Sequence, residues 1–379
     1  MGASMQIPDS VSALYRHAGP FASVYLDATR ANEAGNTEVE LRWRGLRHRL
    51  AEAGADEKSL QAIDEVAGAH VDVAGRHGQF VVAAGGEVLL DEPTRRPPSR
   101  EIGRWSPLPH VLPYLVERST QVPHLVVLID RTGADVYTVL DDIHTDQTSV
   151  EGGVEYPLRK TGRDVWNERA YQHRVDNAWE TNSKEVAQAI SHQLPPQVRV
   201  ILLAGDVRAR TLVSEELAKV LPQRVLVRQL EHGARAEGAS RAALDAGVRS
   251  ALLHHVWAER RDVLARLQQA VGRHDYAVTG IPAVLDALRK AQVDTLVLSD
   301  DPSSTATCSI GPDPLLLAAT DAELRHLGAT DIRHDRLDAA LVRALAGSSA
   351  GLVITPGAHQ YVEQGIAALL RYTDASTPA

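Results

Sequence analysis

The chain has 379 residues, 44% hydrophobic and 23% charged, enough for two or three globular domains of ordinary composition. No apolar run reaches the length of a membrane span, and a single cysteine, Cys308, excludes disulfides within the chain and a cysteine-based zinc site. The net charge of −9 argues against a protein that coats nucleic acid along its whole surface, but it allows a local basic patch.

The first residues lack the charged head and apolar core of a signal peptide, so a cytoplasmic protein is expected. Ser10 to His17 reads as a short helix, followed by Gly19-Pro20 and a strand over Phe21 to Asp27. Thr37 to Ala53 is a helix with Val39, Leu41, Trp43, Leu46 and Leu50 on its apolar side and Arg42, Arg44, Arg47 and Arg49 between them. A loop of Gly54, Ala55, Asp56, Glu57 and Lys58 leads to a second helix over Ser59 to Val71. Strands over Gly78 to Ala84 and Glu87 to Leu90 are joined by Gly85-Gly86 as a hairpin turn. The proline-rich stretch from Asp91 to Pro123 holds a strand or short helix near Val111 to Leu115 and marks the crossing into a second domain.

His124 to Asp130 is apolar enough for a central strand, and it turns at Arg131 to Asp135 into a returning strand over Val136 to Leu140. An extended piece ending in Tyr156-Pro157 then crosses a basic turn, Leu158 to Asp164, into a long helix from Val165 to Leu194 without glycine or proline. Between Arg159 and Arg174 five Lys/Arg face two acids, with Trp166, Tyr171 and His173 interleaved. A cationic loop at the start of a helix, with aromatics attached, suits a phosphate backbone and exposed bases, though a solvated surface loop has the same pattern. A buried-type strand (Val198 to Ala204), a helix (Arg208 to Leu221) and a strand (Val225 to Gln229) complete an α/β unit built on the hairpin.

Ala239 to Gly280 is strongly helical, and Ile281 to Lys290 is a short helix with Pro282 at a tolerated early position. A strand over Val293 to Ser299, a loop over Asp300 to Pro314, helices near Asp321 to Leu327 and Leu337 to Leu345, and a strand over Leu352 to Thr355 follow. The expected fold class is therefore mixed, α/β and α+β, in three layers: 1–120, 121–238 and 239–379.

Several strings suggest chemistry. Gly347-Ser348-Ser349-Ala350-Gly351 matches G-x-S-x-G, but a helix precedes it and a strand follows, the reverse of a nucleophile elbow. His254, His255 and Glu259 lack an evident way to converge on a metal, and Cys308 sits in a polar loop with no nearby base. Asp206 is either a strand-end carboxylate or, the preferred reading, the cap of the next helix. There is no Walker loop and no dinucleotide fingerprint. No catalytic residues, metal or cofactor are expected.

In the middle layer His124 to Asp130 with Thr132-Gly133-Ala134, Tyr156 to Lys160 leading to Gly162-Arg163, and Leu202 to Gly205 occur in a telling order. In the last layer Val271-Gly272-Arg273, Val284 to Ala291 with Val293 to Val297, and Gly365 to Tyr372 continue it. This order resembles the archaeal and eukaryotic class-I release factor and Pelota superfamily. Within it the chain is most similar to the bacterial, actinobacterial branch of Balon-like ribosome hibernation factors. The resemblance implies a three-domain architecture of mixed sheets flanked by helices, with the first domain towards the decoding centre and the last towards a translational GTPase.

Two departures from the family are informative. Release factors open the long helix with Gly-Gly-Gln, which helps hydrolyse peptidyl-tRNA; here that place reads Gly162-Arg163-Asp164-Val165 and no Gly-Gly-Gln occurs anywhere. Asp164 and β-branched Val165 do not offer the backbone freedom of two glycines. The family's codon-reading Asn-Ile-Lys-Ser loop corresponds to the loop carrying Gly54, Asp56, Glu57 and Lys58.

The resemblance therefore implies an occupant of the ribosomal A site on the 70S ribosome that silences translation without releasing peptide, a stress-response role rather than an enzyme's. Its 23S rRNA contacts would be Arg159, Lys160, Arg163, Trp166, Arg169, Tyr171, His173 and Arg174, with the 54–58 loop towards 16S rRNA. Elongation factor Tu is the candidate partner, and neither membrane nor DNA is expected. The alternatives are a peptidyl-tRNA hydrolase or rescue factor of the same superfamily, and a stand-alone α/β enzyme or stress adaptor.

Overall fold

The computed structural model describes residues 4–30, 35–71, 73, 75–130, 132–140, 145–151, 165–231, 241–301, 304–356 and 362–374, with backbone alone for 145–146, 151 and 165–178. They form two compact units, one of Met1–Ser119 with Glu259–Ala379 and the other of Thr120–Ala258. The fold is mixed α/β, with sheets of both strand senses flanked by helices. Among the described residues no helix is long and apolar enough to cross a membrane.

In the first unit, strand β1 (Phe21–Asp27) lies between β2 (Gly78–Ala84) and β4 (Ile102–Ser106), with β3 (Glu87–Thr94) outside β2, all antiparallel. Side chains alternate across a strand, so the continuous apolar run of β1 can exist only if both faces are covered. Ala22, Val24 and Leu26 pack with Val39, Trp43, Leu46 and Leu50 of α2 (Gly35–Glu52) and Leu60 and Ile63 of α3 (Glu57–Val66). Phe21 and Tyr25 point the other way, with Phe80 and Val82. They share a core with Val284 and Leu288 of α8 (Ile281–Arg289) and Leu341 and Leu345 of α10 (Leu337–Ser348). Phe80 stacks between Tyr25 and Tyr114, at ring separations of 4.4 and 4.9 Å. The layers read from sequence as first and last thus bury apolar faces against each other.

The C-terminal part of this unit holds a sheet ordered β10 (Ala277–Thr279), β16 (Ile366–Leu370), β11 (Val293–Asp300), β15 (Gly351–Pro356), in which β11 and β15 run parallel. Leu296, Leu298, Leu352 and Ile354 face the shared core, while Val297 and Val353 face Val263 and Leu267 of α7 (Arg241–Arg273). A second, three-stranded sheet joins β12 (Thr307–Ile310) to β13 (Leu317–Ala318) and β14 (Arg333–Arg336).

One buried carboxylate ties these layers. Asp335, 3% exposed, accepts from Arg104 Nη2 at 2.9 Å, from the Leu108 N–H at 2.7 Å and from the Arg336 N–H at 2.7 Å. Nearby, His110 is buried with Nδ1 3.9 Å from the Asp338 carboxylate. Burial pushes the His110 imidazole down to about 4; Asp338 pulls the other way, and Arg336 and Arg104 add to the lowering.

The second unit is a five-stranded sheet ordered β7 (Thr145–Glu151), β6 (Gly133–Val139), β5 (His124–Ile129), β8 (Val200–Gly205), β9 (Leu226–Gln229). The hairpin half is antiparallel, while β5, β8 and β9 are parallel. Helices α5 (Val165–Gln193) and α6 (Val207–Val220) cover one face through Val186, Ile190, Val213 and Leu217. Leu244, Val248 and Leu252 of α7 cover the other.

The strands that local pattern did not disclose are β4, β7, β10, β12, β13, β14 and β16. The segments TDQTSVE and RHDR have almost no apolar character and lie at sheet edges, where the ladder rather than hydrophobicity makes the strand. Strand β3 runs on through Pro93, which an edge strand tolerates. Helix α7 stops at Arg273, short of the expected Gly280, and left-handed His274 and Tyr276 turn the chain into β10.

Candidate functional site

The register of the second unit brings three chain exits to one end of its sheet. Ile129 at the end of β5 lies opposite both Ala134 of β6 and Gly205 of β8, and Gly133 lies opposite Glu151, where β7 ends. The chain therefore leaves this sheet end at 151 and re-enters along α5. That helix has 29 residues, about 43 Å at 1.5 Å per residue, roughly twice the span of the strands it covers. Trp179, Asn182 and Ser183 lie beside Ile129, Asp130 and Gly133 at the sheet end, so the helix backbone before Trp179 runs past that end.

Of the residues expected at this tip, Arg159, Lys160 and Arg163 lie outside the described residues. Trp166, Arg169, Tyr171, His173 and Arg174 fall on the first turns of α5, and their side chains lie outside the description as well.

At the base of the tip the chemistry is structural. Asp130 Oδ1 accepts from the Thr132 N–H and hydroxyl and from the Gly133 N–H, closing the β5–β6 turn. Asp206 Oδ1 accepts from the N–H groups of Arg208 and Ala209, so this carboxylate caps α6. Gly205, at φ +115°, lets the end of β8 pass against Ile129; a Cβ there would sit 1.9 Å from the Ile129 carbonyl oxygen. The Arg208 guanidinium lies 5.5 Å from the centre of the Trp179 ring.

The 54–58 loop in the first unit is fully described. Gly54 takes φ +89° to end α2, and Asp56 Oδ1 accepts from the Ser59 N–H as the cap of α3. Partial burial opposes the Asp56 charge, but hydrogen bonds from Ser59 outweigh it and hold the carboxyl below its usual range. Glu57 pairs with Arg47, whose Nε also reaches Asp64 at 3.1 Å. Lys58 is exposed, its stem lying against Gly86. Asp56 and Glu57 are thus engaged within the fold, leaving Lys58 as the loop's exposed cation.

The strings that suggest chemistry resolve into scaffolding. Helix α10 precedes Ser349 and β15 follows it, and Ser349 itself turns left-handed at φ 53°. Cys308 lies on β12 rather than in a polar loop; it is buried, and burial pushes its thiol up to about 12, which keeps it protonated and unreactive. Ser309, Asp321 and His334 do meet, but the carboxylate stands in the middle: the Ser309 hydroxyl donates to Asp321 Oδ1 at 2.6 Å, and His334 Nε2 lies 2.8 Å from the same oxygen. A nucleophile needs the imidazole between them, so this is a cross-strand polar contact. Among the described residues no three His, Cys, Asp or Glu side chains gather as metal ligands.

Residues 123–273, which hold the five-stranded sheet, α5, α6 and α7, match the family model described as bacterial archaeo-eukaryotic release factor family 2. Over that segment the chain is similar to the bacterial release factors of that family. Among curated proteins it is similar to the uncharacterized proteins Rv2629 and MT2704 of two Mycobacterium tuberculosis strains, each 29% identical over 93% of this chain and 94% of theirs. Among solved structures, S. cerevisiae Dom34, a translation termination-like factor, aligns over 80% of this chain and 81% of its own at 13% identity and a TM-score of 0.41. Archaeoglobus fulgidus Pelota aligns over 98% and 99% at 12% identity and 0.33. The archaeal termination factor aRF1 aligns over 95% of both chains at 15% identity and 0.23. At such scores the arrangement of parts in those proteins has no bearing on this one.

Proposed function

We propose that this protein is a cytoplasmic, ribosome-associated factor that silences translation by occupying the A site of the 70S ribosome, without releasing peptide. The observation that carries the reading is a release-factor family segment whose helix-opening loop has lost Gly-Gly-Gln. The turn from Leu158 to Asp164, with Arg159, Lys160 and Arg163 against Asp164, keeps the cationic character needed to lie among phosphates, but it lacks the paired glycines that peptide release uses. Arg159, Lys160, Arg163, Arg169 and Arg174 would neutralise 23S rRNA phosphates, while Trp166, Tyr171 and His173 stack on bases. The 54–58 loop would lie towards 16S rRNA, and elongation factor Tu is the proposed partner of the last layer.

The test is co-sedimentation with vacant ribosomes at two salt concentrations, with and without elongation factor Tu, alongside a peptidyl-tRNA release assay. The expected result is salt-sensitive pelleting that excludes A-site tRNA, with no peptide released. Replacing Arg159, Lys160 and Arg163 by Glu should make the logarithmic salt dependence shallower by about two to three units. Absence of pelleting in every condition would overturn the reading, and peptide release would make the protein a rescue factor instead.

A further inference from the structure

The solvent face of α2 carries a feature that the fold does not use. From Leu41 to Arg49 the helix reads LRWRGLRHR, with four arginines and no acid, in a chain of net charge −9. Two of the arginines are neutralised within the fold: Arg42 lies near Asp27, Glu38 and Glu101, and Arg47 near Glu57 and Asp64. Arg44 and Arg49 are exposed, with no carboxylate within ion-pair distance among the described residues. Between them, at i and i+4 on one stripe, stand Leu41, 55% exposed, and Gly45, followed by exposed His48, whose Nε2 lies 3.3 Å from Glu52.

Gly45 is the informative residue. Glycine inside a helix costs about 1 kcal/mol relative to alanine. Internal packing does not call for it, since an added Cβ would meet nothing nearer than Arg49 Nη1 at 4.0 Å. What the glycine provides is an indentation in the outer surface, beside the Arg49 guanidinium and one turn from Leu41.

We propose that this face of α2 is an RNA-docking surface: the sugar–phosphate backbone of an RNA duplex seats at Gly45 and Leu41 while Arg44 and Arg49 grip phosphates on either side. Planar guanidinium groups match phosphate oxygens in pairs, and a side-chain-free position permits the close approach such a grip needs. An acidic body with this local cationic strip binds at one place and is repelled elsewhere. The surface uses none of residues 159–174, so it stands or falls separately from the A-site reading.

The experiment measures binding of the full chain to a fluorescent RNA duplex of about 20 base pairs, at about 50 and about 200 mM salt. Melting temperatures are measured in parallel. Gly45→Leu fills open space with a better helix former, so its melting temperature should stay level or rise while RNA affinity falls about tenfold. Combined Arg44→Glu and Arg49→Glu should weaken binding at least about tenfold and make the salt dependence shallower by one to two units. A residue with a purely structural role would not lose binding while gaining stability.

If both variants bind the duplex like the wild type, the proposal is overturned. A loss confined to the variant carrying Arg159→Glu, Lys160→Glu and Arg163→Glu would overturn it too and leave the loop reading standing. If polyglutamate competes with the wild type as effectively as unlabelled RNA, the face accepts an acidic protein and the RNA assignment is wrong.

Discussion

Asp335 offers the sharpest test of how the first and last layers are joined. Replacing it with alanine removes the acceptor for Arg104 Nη2, more than two hundred residues away in sequence, and for the N–H of Leu108. Removing one partner of a buried ion pair costs about 3–5 kcal/mol. Here the figure falls to the low end, because the Arg104 side chain keeps 34% exposure and can turn to water. The Leu108 N–H has no such escape, and leaving it unpaired costs about 1–3 kcal/mol. A loss of about 3 kcal/mol is expected, which for a unit of this size lowers the melting temperature by roughly 6–12 °C. Asp335→Asn keeps an acceptor oxygen and should lose less. Scanning calorimetry on Asp335→Ala, Arg104→Ala and the double variant gives the coupling between the two side chains. A destabilisation below about 1 kcal/mol, with no coupling, would refute the idea that this carboxylate holds the layers together.

His110 titrates near 4 when folded and near 6.5 when unfolded, so above 6.5 it contributes no pH dependence; as pH falls towards 4 the unfolded chain takes up the proton first, and stability drops by about 3 kcal/mol. Denaturant titrations of wild type and His110→Gln across that window should show this component only in the wild type. Gly205→Ala, with a methyl driven onto the Ile129 carbonyl, should destabilise the second unit by about 3 kcal/mol or more, read from the fluorescence of Trp179 in the same unit. Cys308 should resist a thiol reagent in the native protein and react promptly in denaturant; prompt native reaction would contradict its burial on β12.

Much of the architecture was legible because its cues are local. The apolar run His124 to Ile129 makes a central strand wherever it is buried, and the Val165 to Gln193 stretch, free of glycine and proline, makes a helix. Asp206 before a helical pattern reads correctly as a cap, and the reversed order around Ser349 is visible from periodicity alone. The absence of Gly-Gly-Gln is likewise a property of the sequence alone.

Other features depend on partners distant in the chain. Strands β7 and β14 have few apolar residues of their own and exist because β6 and β12 present a ladder to them. The double burial of β1 hints that both faces are covered, but only packing shows that the second cover comes from α8 and α10. Arginines 42, 44, 47 and 49 look alike in sequence; the fold separates them, because acids from β1, α3 and neighbouring segments reach two and leave Arg44 and Arg49 to solvent. Local pattern thus determined the central strands, the long helices and the absence of a Gly-Gly-Gln string. Which charges stay exposed, and which layers share a core, was decided by tertiary packing, since both depend on groups that meet only after the chain has folded.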